Sequence, residues 1–184
     1  MTQTTHRPDR LDIRSFAQDA VQISGNLPLL KLERLTQDLY RIEADLASKT
    51  LQWTATGSSV PISGGAAQPW LHLEIALQAP MQCQRCLQEV VLPVLTERDI
   101  RFVKNEEEAN AQDDDAEEEL LVIAQQFDLL ELIEDEIIMA LPFAPLHETC
   151  PVNVKLASSS EEFEALEAAK PNAFAALGAL KIRK

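Results

Sequence analysis

The chain is poor in cysteine and lacks long apolar runs, and each shortage excludes a class of protein. Its 184 residues include only three cysteines, an odd number that argues against a secreted module held together by disulfides. No stretch approaches the ~18 consecutive apolar residues of a transmembrane helix. The N-terminal segment has no apolar core of the kind found in a secretory signal. We therefore expect a cytoplasmic protein that makes no contact with a membrane.

Positive charge is also scarce. The chain has 16 Lys and Arg against 30 Asp and Glu, which gives a net charge of −14. Because phosphate binding depends on cationic side chains, this balance disfavours general affinity for nucleic acid and favours basic partners. The sequence also lacks the P-loop, the G-x-G-x-x-G and G-x-S-x-G motifs, and H-E-x-x-H. We therefore expect a protein that is not an enzyme.

All three cysteines belong to two short clusters of potential metal ligands. Cys83 and Cys86 form a C-x-x-C motif, and about sixty residues later Cys150 follows His147 by three positions. Three thiols and one imidazole make a complete ligand set for a tetrahedral zinc ion. Two alternatives stay open at this point: unmetallated cysteines packed beside a turn, and redox or nucleophilic use of the C-x-x-C motif.

Alternating apolar and polar residues predict three strands, at 39–53, 71–79 and 90–102, with a loop at 56–69. The middle strand has the clearest pattern, with apolar side chains on one face and polar side chains on the other. The C-x-x-C motif then lies in the connection between two strands, as in a zinc knuckle. A thioredoxin-type motif would instead join a strand to a helix.

Acidic residues dominate two later segments. Residues 105–119 contain nine carboxylates and no Lys or Arg, so we expect a mobile loop there. Residues 128–141 have an apolar stripe at helical spacing, and Asp128 and Glu131 suit a capping box at the start of this helix. The exposed face of the helix is predicted to consist of Glu131, Glu134, Asp135 and Glu136.

Together these patterns predict an α+β fold. We expect an antiparallel sheet over residues 39–103, which could close into a barrel, with one main helix at 128–141 packed against it and a flexible acidic loop at 105–119. Residues 11–157 would form this single domain. A disordered N-terminus at 1–10 would precede it, and a C-terminal helix and docking tail at 158–184 would follow.

Three segments occur in a specific order: Cys83-Gln84-Arg85-Cys86 after a strand, residues 128–142 running on to His147 and Cys150, and residues 170–181. This combination, with the acidic insertion and the total length, resembles the YceD family, the large ribosomal RNA subunit accumulation proteins of bacteria. The resemblance implies a role in the synthesis, processing or stability of 23S ribosomal RNA. It brings no catalytic residues with it.

Under this resemblance we expect a non-enzymatic factor that binds a basic ribosomal protein or another assembly factor through residues 106–119 and the helix at Asp128, with any contact to 23S RNA indirect. The alternative is direct RNA binding by a basic patch near the C-x-x-C motif, formed by Arg85, Arg98, Arg101 and Lys104. An RNA-processing enzyme would need a carboxylate cluster or a histidine–carboxylate pair in a cleft, and the sequence predicts neither.

Overall fold

The chain divides into two units, residues 1–148 and 149–184. The computed structural model describes residues 6–40, 46–62, 64–155 and 158–169. The elements of the first unit are, in order, α1 (Ile13–Asp19), β1 (Gln22–Pro28), α2 (Leu35–Asp38), β2 (Thr50–Val60), β3 (Gln68–Gln82), β4 (Glu89–Val103), α3 (Glu106–Gln112), β5 (Glu119–Val122) and α4 (Leu129–Ala140). The second unit contains α5, Glu161–Ala169, as predicted. No helix in the described ranges is long and apolar enough to cross a bilayer.

The five strands form one sheet in the order β1-β2-β3-β4-β5. The first four pair antiparallel, and β5 pairs parallel to β4. The α+β prediction is confirmed, with a mostly antiparallel sheet that is open rather than closed into a barrel. Helix α1 packs on β2 and β3, and α4 packs on β4, so one face of the sheet carries the core.

Period-two patterning positions the two longest strands. In β3 the side chains of Leu71, Leu73, Ile75 and Leu77 are all buried, while Glu74 points to the exposed face. β4 pairs with β3 along thirteen successive positions. The strands predicted at 71–79 and 90–102 are confirmed as β3 and β4, and both are longer than the sequence suggested. Their length brings the C-x-x-C motif to the end of a long hairpin.

The strand prediction for residues 39–53 was wrong at residues 39–40 and 46–49, which lie in no strand. Residues 46–48 form a turn that Lys49 closes by donating its N–H to the Leu46 carbonyl at 3.2 Å. β2 begins at Thr50 and extends to Val60, into the predicted loop at 56–69. Leu46 is buried in the turn, and Leu51 and Trp53 are buried in β2, so apolar residues on both sides of the turn were assigned to one strand. Residues 41–45 lie outside the described residues.

The sequence did not predict β1. Gly25 interrupts its pattern, and glycine is a poor strand former. The structure gives a reason for the glycine, because Gly25 pairs directly with Trp53 on β2. A Cβ atom at this position would lie 2.9 Å from Cζ2 of the indole ring. The strand therefore needs glycine here to let the tryptophan cross over it.

The main helix was predicted correctly. Asp128 caps α4, since its carboxylate accepts N–H bonds from Leu130 at 2.9 Å and Glu131 at 3.1 Å. Leu129, Ile133 and Ile137 form the buried stripe. One part of the predicted exposed face was wrong. Glu136 is only 1 % exposed because it follows Ile133 by three residues and so turns towards the sheet.

The acidic run was expected to be a mobile loop, yet residues 106–115 are helical. The side chain of Asn105 caps α3 by accepting the N–H of Glu108 at 2.8 Å, and a 3-10 turn, Asp113–Asp115, follows α3. Three glutamates occupy the first turn of α3, where the helix dipole favours negative charge. This local electrostatic gain offsets part of the self-repulsion that suggested a loop.

The structure describes only part of the predicted disordered N-terminus and part of the predicted C-terminal helix and docking tail. The predicted disordered N-terminus includes a 3-10 turn at Pro8–Arg10, and Leu11 then bridges to Phe127. Helix α1 follows, with Asp12 as its N-cap. Residues 1–5 and the docking tail from residue 170 onward lie outside the described residues.

Candidate metal centre

The C-x-x-C motif occupies the turn between β3 and β4, as predicted. The N–H of Cys83 donates to the Gln88 carbonyl, and the N–H of Leu87 donates to the Cys83 carbonyl, both at 2.9 Å. Leu87 adopts a left-handed backbone conformation, with φ of 59°. Cys83 is buried and Cys86 is half-buried. This turn fixes both thiols on the same side of the hairpin end.

The segment after α4 packs against this turn through its backbone. The N–H of Gln84 donates to the Pro145 carbonyl at 2.9 Å, and the N–H of His147 points at Sγ of Cys83 at 3.5 Å. Pro142 and Pro145 keep the segment out of a helix and leave it extended enough to reach the hairpin. His147 therefore lies beside the C-x-x-C motif.

The imidazole of His147 is oriented by bonds on both ring nitrogens. Nε2 lies 2.9 Å from the carbonyl oxygen of Glu89, and Nδ1 lies 3.3 Å from Sγ of Cys86. A carbonyl oxygen can only accept, so Nε2 carries the proton. Nδ1 therefore turns its lone pair towards the Cys86 sulfur. This arrangement leaves Nδ1 as the nitrogen available to a metal ion.

Backbone donors also favour a thiolate at Cys83. Burial raises the pKa of this thiol, but backbone N–H groups of His147, Cys86 and Arg85, together with the His147 side chain, outweigh burial and lower the pKa from 9.0 to about 5. Thiolates are the form of cysteine that binds metals. The turn thus presents a ready anionic ligand without any nearby lysine or arginine side chain being needed.

The ligand atoms of Cys83, Cys86 and His147 all lie within 4.8 Å of one another. Cys150, which is half-buried, follows three residues after His147 in the second unit. Together these residues make a group of three thiols and one imidazole that could hold a metal ion. Within the described residues no other group of histidine, cysteine or acidic side chains qualifies.

Comparison with known proteins gives a family. The family model of the large ribosomal RNA subunit accumulation protein YceD matches residues 71–181, which is more than half of the chain. The chain belongs to the YceD family. A large ribosomal RNA subunit accumulation protein YceD from Haemophilus influenzae is 28% identical over 181 residues, covering 97% of this chain and 98% of the relative. No solved structure gives a significant match.

The YceD match begins within β3 and runs through the C-x-x-C turn, the acidic segment, α4 and the His-x-x-Cys pair. The family region therefore contains every residue of the candidate metal group. β1 and β2 precede the matched region, although the Haemophilus influenzae relative aligns along almost the whole chain. The resemblance seen in the sequence is thus confirmed as family membership.

The basic patch expected beside the C-x-x-C motif of this YceD chain does not form as predicted. Arg98 and Arg101 lie in β4, nine residues or more beyond Glu89, which is about 30 Å along the strand from the turn that holds Arg85. Arg98 donates from Nε to Glu136 at 2.8 Å, and Arg101 binds Glu118 and also stacks over Trp70. Both cations are already neutralised by carboxylates.

Two ionisable pairs are not evident from the sequence. Nδ1 of His72 lies 2.7 Å from Asp99 on the exposed sheet face, because the register places these residues opposite each other. The hydrogen bond that His72 donates to the Asp99 carboxylate raises the pKa of His72. On the core side, burial and the nearby Glu136 carboxylate raise the pKa of Glu119. Strand register and helix packing, which one sequence does not reveal, create these pairs.

Proposed function

We propose that this protein is a non-enzymatic factor in the synthesis, processing or stability of 23S ribosomal RNA, and hence in assembly of the large ribosomal subunit. The observation that carries the proposal is the YceD family match over residues 71–181. The name of the Haemophilus influenzae relative, which aligns along nearly its full length, points the same way. We place the factor in the cytoplasm, where bacterial ribosomes assemble.

The factor acts by binding a basic ribosomal protein or another assembly factor. Its binding region is an acidic surface that we define as the carboxylates Glu106, Glu107, Asp113, Asp114, Asp115 and Glu117. The helical structure of residues 106–115 supports this role, since it holds the carboxylates in a fixed arrangement that a loop would not provide. Complementary charge steers a basic partner to such a surface and speeds its association.

The neighbouring contacts support the same surface. Glu118, the next residue in the chain, pairs with Arg101 and ties the segment to β4. The cation of Arg101 is consumed by this pair, so it does not cancel the charge of the acidic surface. The net charge of −14 adds a long-range attraction for basic partners. The metal group takes no part in partner binding in this proposal and has a structural role.

The test neutralises the acidic surface without deleting the segment. One variant replaces the six carboxylates with their amides, which changes the net charge from −14 to −8. A matched variant makes the same charge change at six other exposed positions: Glu33, Asp38, Glu131, Glu148, Glu161 and Glu162. Each protein is used to recover partners from a nuclease-treated bacterial lysate, with quantitative mass spectrometry as the readout.

We expect the acidic-surface variant to lose ribosomal proteins that the wild type and the matched variant retain. The wild-type recovery should also fall as salt is raised, because the attraction between exposed charges is screened. Equal recovery from all three proteins would refute the acidic surface as the binding region. The recovery is repeated from the same lysate without nuclease treatment. Ribosomal proteins recovered only from the untreated lysate would instead favour the alternative, direct binding to 23S RNA through cations such as Arg85 and Lys104.

A further inference from the structure

We propose that Cys83, Cys86, His147 and Cys150 bind one structural Zn²⁺ ion, with His147 coordinating through Nδ1 rather than Nε2. The inference goes beyond the proposed function, because it concerns residues that lie outside the acidic surface. Its support comes from the distances between the ligand atoms, the bonds on the imidazole ring and the chemistry of the donor set.

The distances suit one tetrahedral ion. Zinc–sulfur bonds of about 2.3 Å and zinc–nitrogen bonds of about 2.0–2.1 Å place sulfur and nitrogen ligands about 3.5 Å apart at a tetrahedral angle. The observed separation of Cys86 Sγ and His147 Nδ1 is 3.3 Å. Two sulfurs around the same ion would lie about 3.8 Å apart, and Cys83 and Cys86 fall within the 4.8 Å that bounds the group. Small side-chain adjustments are enough to close the site around zinc.

The bonds on the imidazole ring select the ligand nitrogen. Histidines that bind metals usually donate their second ring N–H to a carbonyl or carboxylate, which fixes the tautomer and the orientation of the ring. Glu89 provides that acceptor through its backbone carbonyl, 2.9 Å from Nε2 of His147. The side chain of Glu89 is held in turn by Lys49 at 3.6 Å. Nδ1 is then the only imidazole nitrogen of His147 with a free lone pair.

The donor set selects the metal and its role. Three thiolates and one imidazole favour zinc over calcium or magnesium, which require oxygen ligands. Four protein ligands fill the tetrahedral shell and leave no position for a substrate or an activated water, as in structural rather than catalytic zinc sites. Cys150 completes the shell as the fourth ligand, three residues after His147.

The rival interpretations of the cysteines fit the structure less well. Redox-active C-x-x-C motifs begin at a helix N-terminus with one accessible thiolate, whereas this motif joins two strands and Cys83 is 0 % exposed. Unmetallated packing would leave several polar donors pointed at sulfur, although a sulfur is a weak acceptor. A zinc ion explains why Cys83, Cys86 and the His147 ring converge.

The ion has a clear structural consequence within the first unit. In the described structure, two hydrogen bonds between conventional donors and acceptors join the segment after α4 to the hairpin end: Gln84 N–H to Pro145 and His147 Nε2 to Glu89. Zinc would add strong bonds between the same two segments. Metal binding that requires the folded arrangement stabilises the fold by mass action.

The first experiment measures metal content and needs no variant. Protein purified without a histidine tag is analysed by inductively coupled plasma mass spectrometry. We expect about one zinc per chain, because structural sites bind zinc tightly. The variants Cys86→Ser and His147→Gln should lower the content at least tenfold, and His72→Gln, which changes a histidine outside the group, should retain it. Less than about 0.1 zinc per chain in the wild type would overturn the proposal.

The second experiment identifies the ligand atoms. Cobalt substitution should give the visible bands of a tetrahedral site and an intense thiolate-to-cobalt band in the near ultraviolet. In protein substituted with ¹¹³Cd, we expect scalar coupling from the metal to ¹⁵Nδ1 of His147. Coupling to Nε2 would contradict the assignment of the ligand nitrogen. An octahedral cobalt spectrum without thiolate bands would contradict the ligand set, and neither result would affect the ribosomal RNA proposal.

Discussion

Glu136 offers a sharp test of how the sheet holds its main helix. Its side chain is 2 % exposed, and its only cationic contact in the described structure is Nε of Arg98 at 2.8 Å. The change Arg98→Met keeps the aliphatic stem and removes the cation, so a buried carboxylate loses its partner. Breaking a buried ion pair in this way costs about 3–5 kcal/mol. Arg98 is 45 % exposed and water can partly replace it, so we expect a lower value of about 2–3 kcal/mol.

The assay is urea unfolding of the purified chain at about pH 8, with Arg7→Met as the matched control. Arg7 pairs with Asp9 on the surface, where both side chains are substantially exposed, so its loss should leave the free energy of unfolding nearly unchanged. The double change Arg98→Met with Glu136→Leu should recover most of the stability, because it removes the buried charge of Glu136 together with its partner. An Arg98→Met cost equal to that of the control would refute the reasoning.

The same variant should show a defined pH dependence. Burial and the Glu136 carboxylate already raise the pKa of Glu119, while Arg98 lowers it. Removing Arg98 leaves two facing carboxyl groups without a cation, so the folded state should bind a proton more readily. Stability then falls as pH rises through the raised pKa. We therefore expect a smaller cost of Arg98→Met at about pH 5 than at about pH 8, and an equal cost would count against this carboxyl pair.

Three further outcomes follow from burial, contact and charge. Ile133→Ala should lower the free energy of unfolding by about 2–5 kcal/mol, because Ile133 is 0 % exposed. Its control is Met139→Ala, at an exposed position of the same helix, which should change the free energy of unfolding by less than about 0.5 kcal/mol. Gly25→Ala should cost about 1–3 kcal/mol and alter the near-ultraviolet circular dichroism of Trp53, which lies 2.9 Å from the added Cβ; an unchanged spectrum would contradict the contact. The pKa of His72, followed by NMR, should lie above the ordinary histidine value of 6.5. The stabilisation that His72 provides is complete below about pH 6.5 and is lost as pH rises through the raised pKa. The stability of His72→Gln should therefore vary less with pH over that range. A pKa of His72 at or below the ordinary value would contradict the Asp99 bond.

The spacing of apolar residues in the sequence predicted those strands and helices whose buried side chains recur at regular intervals. β3 and α4 carry a regular apolar pattern, and β4 is rich in apolar and β-branched residues, so the existence and approximate limits of all three follow from the sequence. β1 does not, because Gly25 is required by a tryptophan from another strand, and no local pattern reports that contact. The segment before β2 shows the reverse problem, since Leu46 is buried in a turn and still fits the alternating pattern of a strand.

The ligand set of the candidate metal site was predictable from residue types, but the ligand atoms were not. Three cysteines and a histidine in two short pairs suggest a zinc ligand set by residue type and spacing alone. The choice of Nδ1 was not predictable, because it depends on the carbonyl of Glu89, a backbone group that any residue would supply. The ion pair between Arg98 and Glu136 was not predictable either, because it depends on how α4 packs against β4. This pair neutralises one of the cations of the expected basic patch.

The measurement that tests the central claim most directly is the ratio of 23S to 16S ribosomal RNA in the organism that encodes this protein. The ratio is compared between the wild-type strain, a strain with the gene deleted and a deletion strain carrying a plasmid copy. We expect deletion to lower the 23S level relative to 16S, and the plasmid copy to restore it. An unchanged ratio after deletion would contradict a role for this protein in the accumulation of large-subunit ribosomal RNA.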